Sequence, residues 1–397
     1  MPQIPFALRD DPVGAYPNEW VAAFAEIHER PFRAKQVFRW IHTRSVADPA
    51  RMTDAAKTLR DKLASWSIAM PAEIREVRRA ADDTRKVLIG FPKSPAAGTV
   101  ETVLIPPLPD EEDEDVELEA DDDAPVITGL RVAARRVTQC ISTQVGCAMG
   151  CVFCASGVAG LKRHLSAGEI VAQVLLGRTL LDEGEAIRNV VLMGMGEPLH
   201  NYENVARALR LLTHPDGMNL SSRRVTVSTS GLVPEIDRLG EEFKGEIALA
   251  VSLHAPDDEL RSRIMPVNKK YPLGELMAAL RRYPLARRRR ITLEYTLIRN
   301  VNDRPEHARA LLRLLRNLPM KVNLIPMNPI EAAQWQAPTR DDVLAFQDVL
   351  RKGTDQAVFI RRTRGDEIDA ACGQLALHGA KPVKRKLPMI GERHGGA

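Results

Sequence analysis

From residue 18 to 66 the apolar positions repeat at helical spacing in three groups: Trp20, Phe24 and Ile27, then Phe38, Trp40 and Ile41, then Leu59, Leu63 and Trp66. They predict a small helical lobe, assigned to residues 1–80. The pattern then turns strand-like over Lys86–Phe91 and Val100–Ile105, two runs separated by a Pro- and Gly-containing turn, which predicts a β-hairpin at 81–106. From about residue 137 onward, β-rich runs at 138–142, 188–193, 223–229, 247–253, 291–298, 321–326 and 357–361 alternate with helical stretches such as 167–183, 203–214, 305–317 and 340–352. That alternation is the signature of a parallel sheet. The predicted class is therefore α/β, a partial (βα)6-type barrel over 136–378 with a small N-terminal helical domain and a β-hairpin extension. In a barrel the chemistry collects where loops leave the C-terminal ends of the strands.

Composition adds little to the fold but narrows the setting. The 397 residues are 44% hydrophobic and 27% charged, as in ordinary soluble proteins. No run approaches the ~20 apolar residues of a spanning helix, and Met1-Pro2-Gln3-Ile4-Pro5 lacks the basic and apolar regions of a signal peptide. A cytoplasmic protein without membrane contact is expected. The segment Asp110–Asp123 holds eleven carboxylates and no Lys or Arg, so the formal charge of +4 becomes +15 without it. Residues 107–135 read as an acidic disordered insertion and 379–397 as a basic flexible tail. A basic remainder suits a polyanion partner or simply a well-solvated surface. The run Arg287–Arg290 fits either reading, and so do Lys162, Arg163, Arg223, Arg224 and Lys269-Lys270. With aromatic residues at 5%, a broad base-stacking platform is not expected.

Three of the five cysteines fall within eight residues, as Cys147-x-x-x-Cys151-x-x-Cys154, which points to metal rather than cross-linking. Soft thiolates select zinc or an iron–sulfur cluster. Structural zinc needs a closed set of four ligands and would have to recruit distant Cys140 or Cys372. A [4Fe–4S] cluster held by three cysteines keeps one iron open for an outside ligand, such as the amino and carboxylate groups of S-adenosylmethionine (SAM). This spacing is that of radical SAM enzymes. The loop Gly194-Met195-Gly196-Glu197-Pro198 follows the second predicted strand; its glycines permit close backbone approach, and Glu197 can accept hydrogen bonds from the SAM amino group.

Over nearly its whole length the chain resembles the RlmN/Cfr family of radical SAM RNA methyltransferases, and within it the RlmN branch. The resemblance rests on Pro31-Phe32-Arg33-Ala34-Lys35-Gln36, Met52-Thr53-Asp54, Glu101-Thr102-Val103 and Gln144-Val145-Gly146-Cys147 through Cys154. It continues in Gly194 to Leu199, Ser252-Leu253-His254-Ala255, Asn323-Leu324-Ile325-Pro326, and Arg364-Gly365-Asp366 through Ala371-Cys372-Gly373-Gln374-Leu375. The insertion before Cys140 is longer than the family pattern, His164 replaces an Asn, and the loop Ile330-Glu331-Ala332-Ala333 differs from the usual type. These departures bear on substrate preference.

The resemblance implies a fold, a radical SAM barrel, and a reaction, methylation of adenosine C2 in 23S rRNA and in tRNA beside the anticodon. It implies cluster ligation by Cys147, Cys151 and Cys154, and SAM contacts from Gly196, Glu197, Ser228, Ser252, Leu253, His254 and Asn328. Cys372 would carry the methyl group, Cys140 would resolve the covalent adduct through a disulfide, and Glu101 would accept a proton. The expected partners are the two RNAs and a reducing electron donor, the N-terminal lobe would help to bind RNA, and the protein would act as a monomer. The alternatives are Cfr-like methylation at C8 and a non-catalytic, metal-containing RNA-binding protein. Without the family, His254 reads as well as a satisfied histidine at a strand end, Glu101 as an exposed strand carboxylate, and Cys140 as a buried core thiol.

Overall fold

The computed structural model describes residues 5, 8–92, 98–108, 134–286, 289–330 and 335–375. The acidic segment 110–123, the tail 379–397 and Arg287-Arg288 lie outside the described residues. The lobe consists of α1 (Pro17–Glu26), α2 (Pro31–His42) and α3 (Lys57–Ser65). Trp20, Phe24, Phe38, Ile41, Leu59 and Leu63, picked out by their spacing, are fully buried. Next come β1 (Glu73–Arg79), β2 (Arg85–Gly90), β3 (Thr99–Ile105) and β4 (Arg135–Cys140), all antiparallel.

From β4 onward the main sheet is parallel. A short antiparallel pair, β5 (Gln144–Val145) and β6 (Arg163–His164), closes the neck of a loop that carries α4 (Ala155–Ala159). The remaining elements are α5 (Ala167–Gly177), β7 (Glu185–Leu192), α6 (Tyr202–Thr213), β8 (Val225–Thr229), α7 (Val233–Phe243), β9 (Ala248–Ser252), α8 (Asp258–Ile264) and α9 (Leu273–Arg282). They continue with β10 (Ile291–Leu297), α10 (Pro305–Leu314), β11 (Met320–Pro326), α11 (Arg340–Gly353) and β12 (Val358–Ile360). The strand order is β1-β2-β3-β4-β7-β8-β9-β10-β11-β12, and β12 does not pair back onto β1 or β4. The sheet is thus a partial barrel widened on one side by three antiparallel strands. No helix of the described residues is long and apolar enough to cross a membrane.

The extension is therefore a three-stranded unit rather than a hairpin. Its outer strand β1 lies inside the stretch read as helical lobe. Its sequence, Glu-Ile-Arg-Glu-Val-Arg-Arg, is mostly charged and mostly exposed, so it carries no alternating apolar signal. A charged edge of this kind also discourages pairing with other chains.

Lobe and barrel share one hydrophobic core. Asp11 accepts hydrogen bonds from Gly168 N (2.6 Å) at the start of α5 and from Gly14 N (3.1 Å). Arg207 of α6 donates to Gly14 O (2.6 Å) and pairs with Glu19, and Phe38 packs edge-on against His214 at 5.2 Å. The extension is anchored separately. The Arg85 guanidinium, its side chain 3% exposed, bonds both oxygens of the equally buried Glu185 (2.7 and 3.0 Å), Asp182 (2.7 Å) and Leu180 O (3.0 Å). Removing one partner of a buried ion pair leaves an uncompensated charge. Arg85→Met should therefore lower stability by about 3 kcal/mol in urea unfolding, and adding Glu185→Gln should recover part of the loss.

Candidate active site at the strand ends

Seven parallel strands bring their C-terminal ends to one solvent-open cleft. Its wall includes Cys147, Cys151 and Cys154, Gly196 and Glu197 after β7, Ser228 on β8, Ser252 and His254 at the end of β9, Asn328 after β11, and Cys372 beyond β12. Ten of the residues singled out in the sequence thus converge. Leu253 does not line the cleft: its side chain is fully buried in the main core.

The cysteine loop is held at both ends. At its neck Lys162 N bonds Val145 O (2.8 Å), and Gly146, at φ +79°, lies so close to Gly160 O that any Cβ would collide with it. At the far end Ala155 N bonds Gly373 O (2.8 Å) and Ser156 Oγ bonds Leu375 O (2.6 Å), so the loop and the Cys372 segment are fastened together. Asn328 Nδ2 donates to Cys372 O (3.0 Å), which gives Asn328 a positioning duty as well as a place on the wall.

Burial pushes the Cys147 thiol up to about 12, with the nearby Cys154 charge adding to it. Burial also raises Cys151 well above the ordinary range and raises Cys154. Three crowded, buried thiols become thiolates when a multiply charged centre takes them as ligands. No three Cys, His, Asp or Glu groups among the described residues close on the small volume of a single tetrahedral ion. A three-cysteine loop opening on a large cleft fits a cluster with one free iron instead.

Behind the loop lies a fully buried Arg261. It donates to the carbonyls of Ser230 (2.6 Å), Ser252 (3.0 Å) and Leu253 (3.1 Å) and to Asn268 Oδ1 (2.9 Å), and its charge faces Cys151. Burial lowers it to about 10, so it stays cationic at neutral pH. Glu197 accepts from Ser230 N (2.7 Å) and Leu199 N (3.1 Å), so its carboxylate ties its own loop to the end of β8. The glycines of that loop are required by its neighbour: a Cβ on Gly194 would meet Ser142 Oγ and Ile141 O, and one on Gly196 (φ +110°) the Gln144 side chain. His254, at φ +57°, accepts at Nδ1 from Thr296 N (2.9 Å), which leaves the proton on Nε2, and burial lowers it to about 3. It is a satisfied histidine and a cleft residue at once.

Glu101 and Cys140 lie beside the cleft rather than on its wall. Cross-strand partners share a face, and Val103 pairs with Cys140 while Leu88 pairs with Glu101, so Glu101, Val103 and Cys140 project from the same side of the sheet. Cys140 is close enough to Cys372 for their charges to interact, and burial, then that charge, pushes its thiol up to about 12. Glu101 is 2% exposed and paired with Lys86 Nζ at 3.1 Å, so its reading as an exposed strand carboxylate is overturned. Thr102 Oγ1 donates to Cys140 O (2.7 Å) and Ser142 Oγ to Glu101 O (2.6 Å), fixing β3 against the end of β4.

Two family models match: the radical SAM superfamily over residues 141–313, and the ribosomal RNA large subunit methyltransferase N-terminal domain over 16–68. A relative named dual-specificity RNA methyltransferase RlmN, from Sorangium cellulosum (strain So ce56), is 58% identical, the match covering 94% of this chain and 97% of that protein. The chain belongs to the RlmN family of radical SAM methyltransferases. A second RlmN, from Marinobacter nauticus (strain ATCC 700491 / DSM 11845 / VT8), is 43% identical over 89% of each chain. The crystal structure of a radical SAM methyltransferase from Sphaerobacter thermophilus superposes with a TM-score of 0.81 at 42% identity, covering 91% of this chain and 98% of that one.

As a radical SAM enzyme, this RlmN-family chain uses a [4Fe–4S] cluster and SAM. Sequence reasoning missed several residues of the site. Arg261 was passed over as one arginine among many. Glu294 reaches the cleft from β10, with Oε1 held by Asn323 (3.0 Å) and Oε2 buried without a hydrogen-bond partner among the described residues. Ser156 lies two residues past the cysteine motif, and that nearness was its available signal.

Anaerobically purified protein should be brown, and Cys147→Ala, Cys151→Ala or Cys154→Ala should each abolish iron and sulfide content. Arg261→Met strips donors from buried carbonyls, each worth about 1–3 kcal/mol when left unmade. It should lower the unfolding free energy by several such increments, read by urea titration.

Proposed function

We propose that this enzyme makes 2-methyladenosine in 23S rRNA and in tRNA beside the anticodon, with the methyl group carried on Cys372. The observation that carries the reading is the convergence of three cluster cysteines and Cys372 on one cleft, with buried Cys140 alongside. The relatives' description as dual-specificity RNA methyltransferases supports both RNAs. The N-terminal lobe, docked on α5 and α6, would extend the RNA contact surface.

Adenine C2 is electron-poor and has no lone pair with which to displace the SAM methyl group. When bound, the reduced cluster and SAM supply a 5′-deoxyadenosyl radical that can activate a methyl group already on the protein. Cleft residues, including Glu197, Ser228, Ser252, His254 and Asn328, would hold SAM in the cleft that Cys372 also lines. The Cys372 sulfur first accepts a methyl group by displacement. That S-methyl then loses a hydrogen atom to the 5′-deoxyadenosyl radical, and its carbon bonds to C2, which joins RNA to protein by a thioether and leaves one unpaired electron on the ring, an electron that the oxidised cluster would take up. Release needs removal of the C2 proton, assigned to the Glu101 carboxylate, and attack by the Cys140 sulfur on the Cys372 sulfur. The attack breaks the sulfur–carbon bond, whose electron pair stays on the carbon and takes up a proton to complete the methyl group.

A Cys140–Cys372 disulfide is left, and both residues are free thiols in this structure, as the start of the cycle requires. The disulfide must be reduced in each turnover, which favours the reducing cytoplasm, and a separate donor must supply the electron for SAM cleavage. One chain furnishes every side chain in these roles, so a monomer suffices.

Cys372→Ala should bind SAM and a cluster yet never become linked to RNA. Cys140→Ala should accumulate protein crosslinked through Cys372 to adenosine C2. Denaturing gels before and after nuclease, with mass spectrometry of the adduct, read both outcomes. Normal turnover by Cys140→Ala would sink its resolving role, and a crosslink in Cys372→Ala would sink the carrier assignment.

A further inference from the structure

The ammonium of Lys86 lies within reach of two parts of the site that are far apart in sequence. Nζ is 3.1 Å from Glu101 Oε1 and 3.3 Å from Asp369 O, three residues before Cys372. Both side chains of the pair are buried, at 8% and 2% exposure. A small cavity between β1, β2 and β3 is lined by Glu76, Arg78, Lys86, Leu88 and Glu101. Among the described residues, the charged or titratable groups around Glu101 include Glu76 and Arg78 on β1, Lys86 on β2 and Cys140 on β4. Arg78 is exposed and spends its guanidinium on Glu76 at 2.6 Å, which leaves Lys86 as the buried cation of the group.

A buried carboxylate without a counter-charge is driven to its neutral form, and a neutral carboxyl cannot take a proton from carbon. We propose that Lys86 is a positioning residue for the proton-removal step: it supplies the buried counter-charge of the Glu101 carboxylate and ties that base to the segment bearing Cys372. The proposal rests on the assignment of Glu101 as proton acceptor. In the step, the C2–H bond of the adduct breaks, the proton passes to a Glu101 oxygen, and the electron pair of that bond stays in the purine. Lys86 exchanges no electrons and forms no covalent bond. Its charge stabilises the carboxylate before transfer, and Asp369 O helps to fix its ammonium in place.

A structural role alone predicts that losing Lys86 weakens the fold and every activity together. The proposed role predicts a break between the early and late steps. The test uses full-length, cluster-reconstituted enzyme with SAM and an rRNA fragment under single-turnover conditions. Lys86→Met, Lys86→Arg and Glu101→Gln are compared with the native protein for iron content, 5′-deoxyadenosine formed, RNA–protein crosslink and 2-methyladenosine.

Lys86→Met should keep iron and 5′-deoxyadenosine, accumulate crosslink, and make about tenfold less 2-methyladenosine at neutral pH. Lys86→Arg should restore product, because the charge is kept. Glu101→Gln should accumulate crosslink. Normal product from Lys86→Met, or loss of 5′-deoxyadenosine and product in parallel, would overturn the inference. Normal turnover by Glu101→Gln would instead remove the base assignment, and the inference with it.

Discussion

Three cysteine thiols must be buried side by side on one short loop, and that requirement governs the structure around them. Crowding acids that become anions as ligands is unfavourable unless the cluster and the protein supply compensation. The protein's share is the Arg261 guanidinium, buried and cationic, facing Cys151. Its cost is offset by four acceptors, and three of these are carbonyls at Ser230, Ser252 and Leu253. The group that balances the cysteine loop therefore also holds the ends of β8 and β9 in place. The cysteine loop and the cleft wall are thus braced by one side chain, and neither can shift far without disturbing the other.

A second constraint comes from sheet continuity. A radical SAM barrel needs its strand ends, yet of the residues assigned to the late steps Cys140 stands on the first parallel strand, while Glu101 and Lys86 sit on strands added outside the parallel set. β3 and β4 solve this by pairing in register, which carries one face of the sheet from the cleft to Glu101 and Lys86. The polar side chains on the other face serve the same end. Gln139 Nε2 bonds Thr102 Oγ1 (3.1 Å) and Gln173 O (2.8 Å), and Gln173 brackets Ser142 through its N (2.9 Å) and O (2.8 Å). This buried network joins β3, β4 and α5, so the extension is locked to the barrel close to where the two units must cooperate. Arg85, on the same face at the start of β2, adds a second lock to Glu185.

The barrel and most of the cleft were legible because both leave strong periodic or local marks. Alternating β and helical runs gave the parallel strands, with ends displaced by a few residues. The 3-plus-2 cysteine spacing is a local pattern that survives without a fold. β1 was not legible, since an exposed, charged edge strand buries nothing and so shows no periodicity. Arg261 and Lys86 were invisible for another reason: a long cationic side chain looks alike in sequence whether it meets solvent or a buried carboxylate, and only tertiary packing decides. On the residues alone Glu101 read as well as an exposed carboxylate as a functional one, because its partner Lys86 lies on the preceding strand, and an isolated strand carboxylate is ordinarily solvated. The glycines of the Gly194–Pro198 loop were read correctly as permitting close approach, but the backbone and side chains they accommodate belong to Ile141–Gln144.

The two cysteines assigned to the covalent intermediate face opposite demands, and their surroundings differ accordingly. In the proposed cycle the carrier must be methylated by SAM and the resolver must not be. Cys372 lines the cleft, with its carbonyl held by Asn328 and the following residue fastened to the cysteine loop. Cys140 is off the cleft wall, fixed at the end of β4 between β3 and β7, and burial holds it as a thiol with its pKa near 12. A protonated thiol is a poor nucleophile, so Cys140 does not compete for the methyl group. The same burial would also make it a slow resolver, unless its proton is taken up when the adduct fills the space between the sulfurs. The arrangement thus favours order over speed, with the carrier available first and the resolver held back until a carbon stands between Cys372 and RNA.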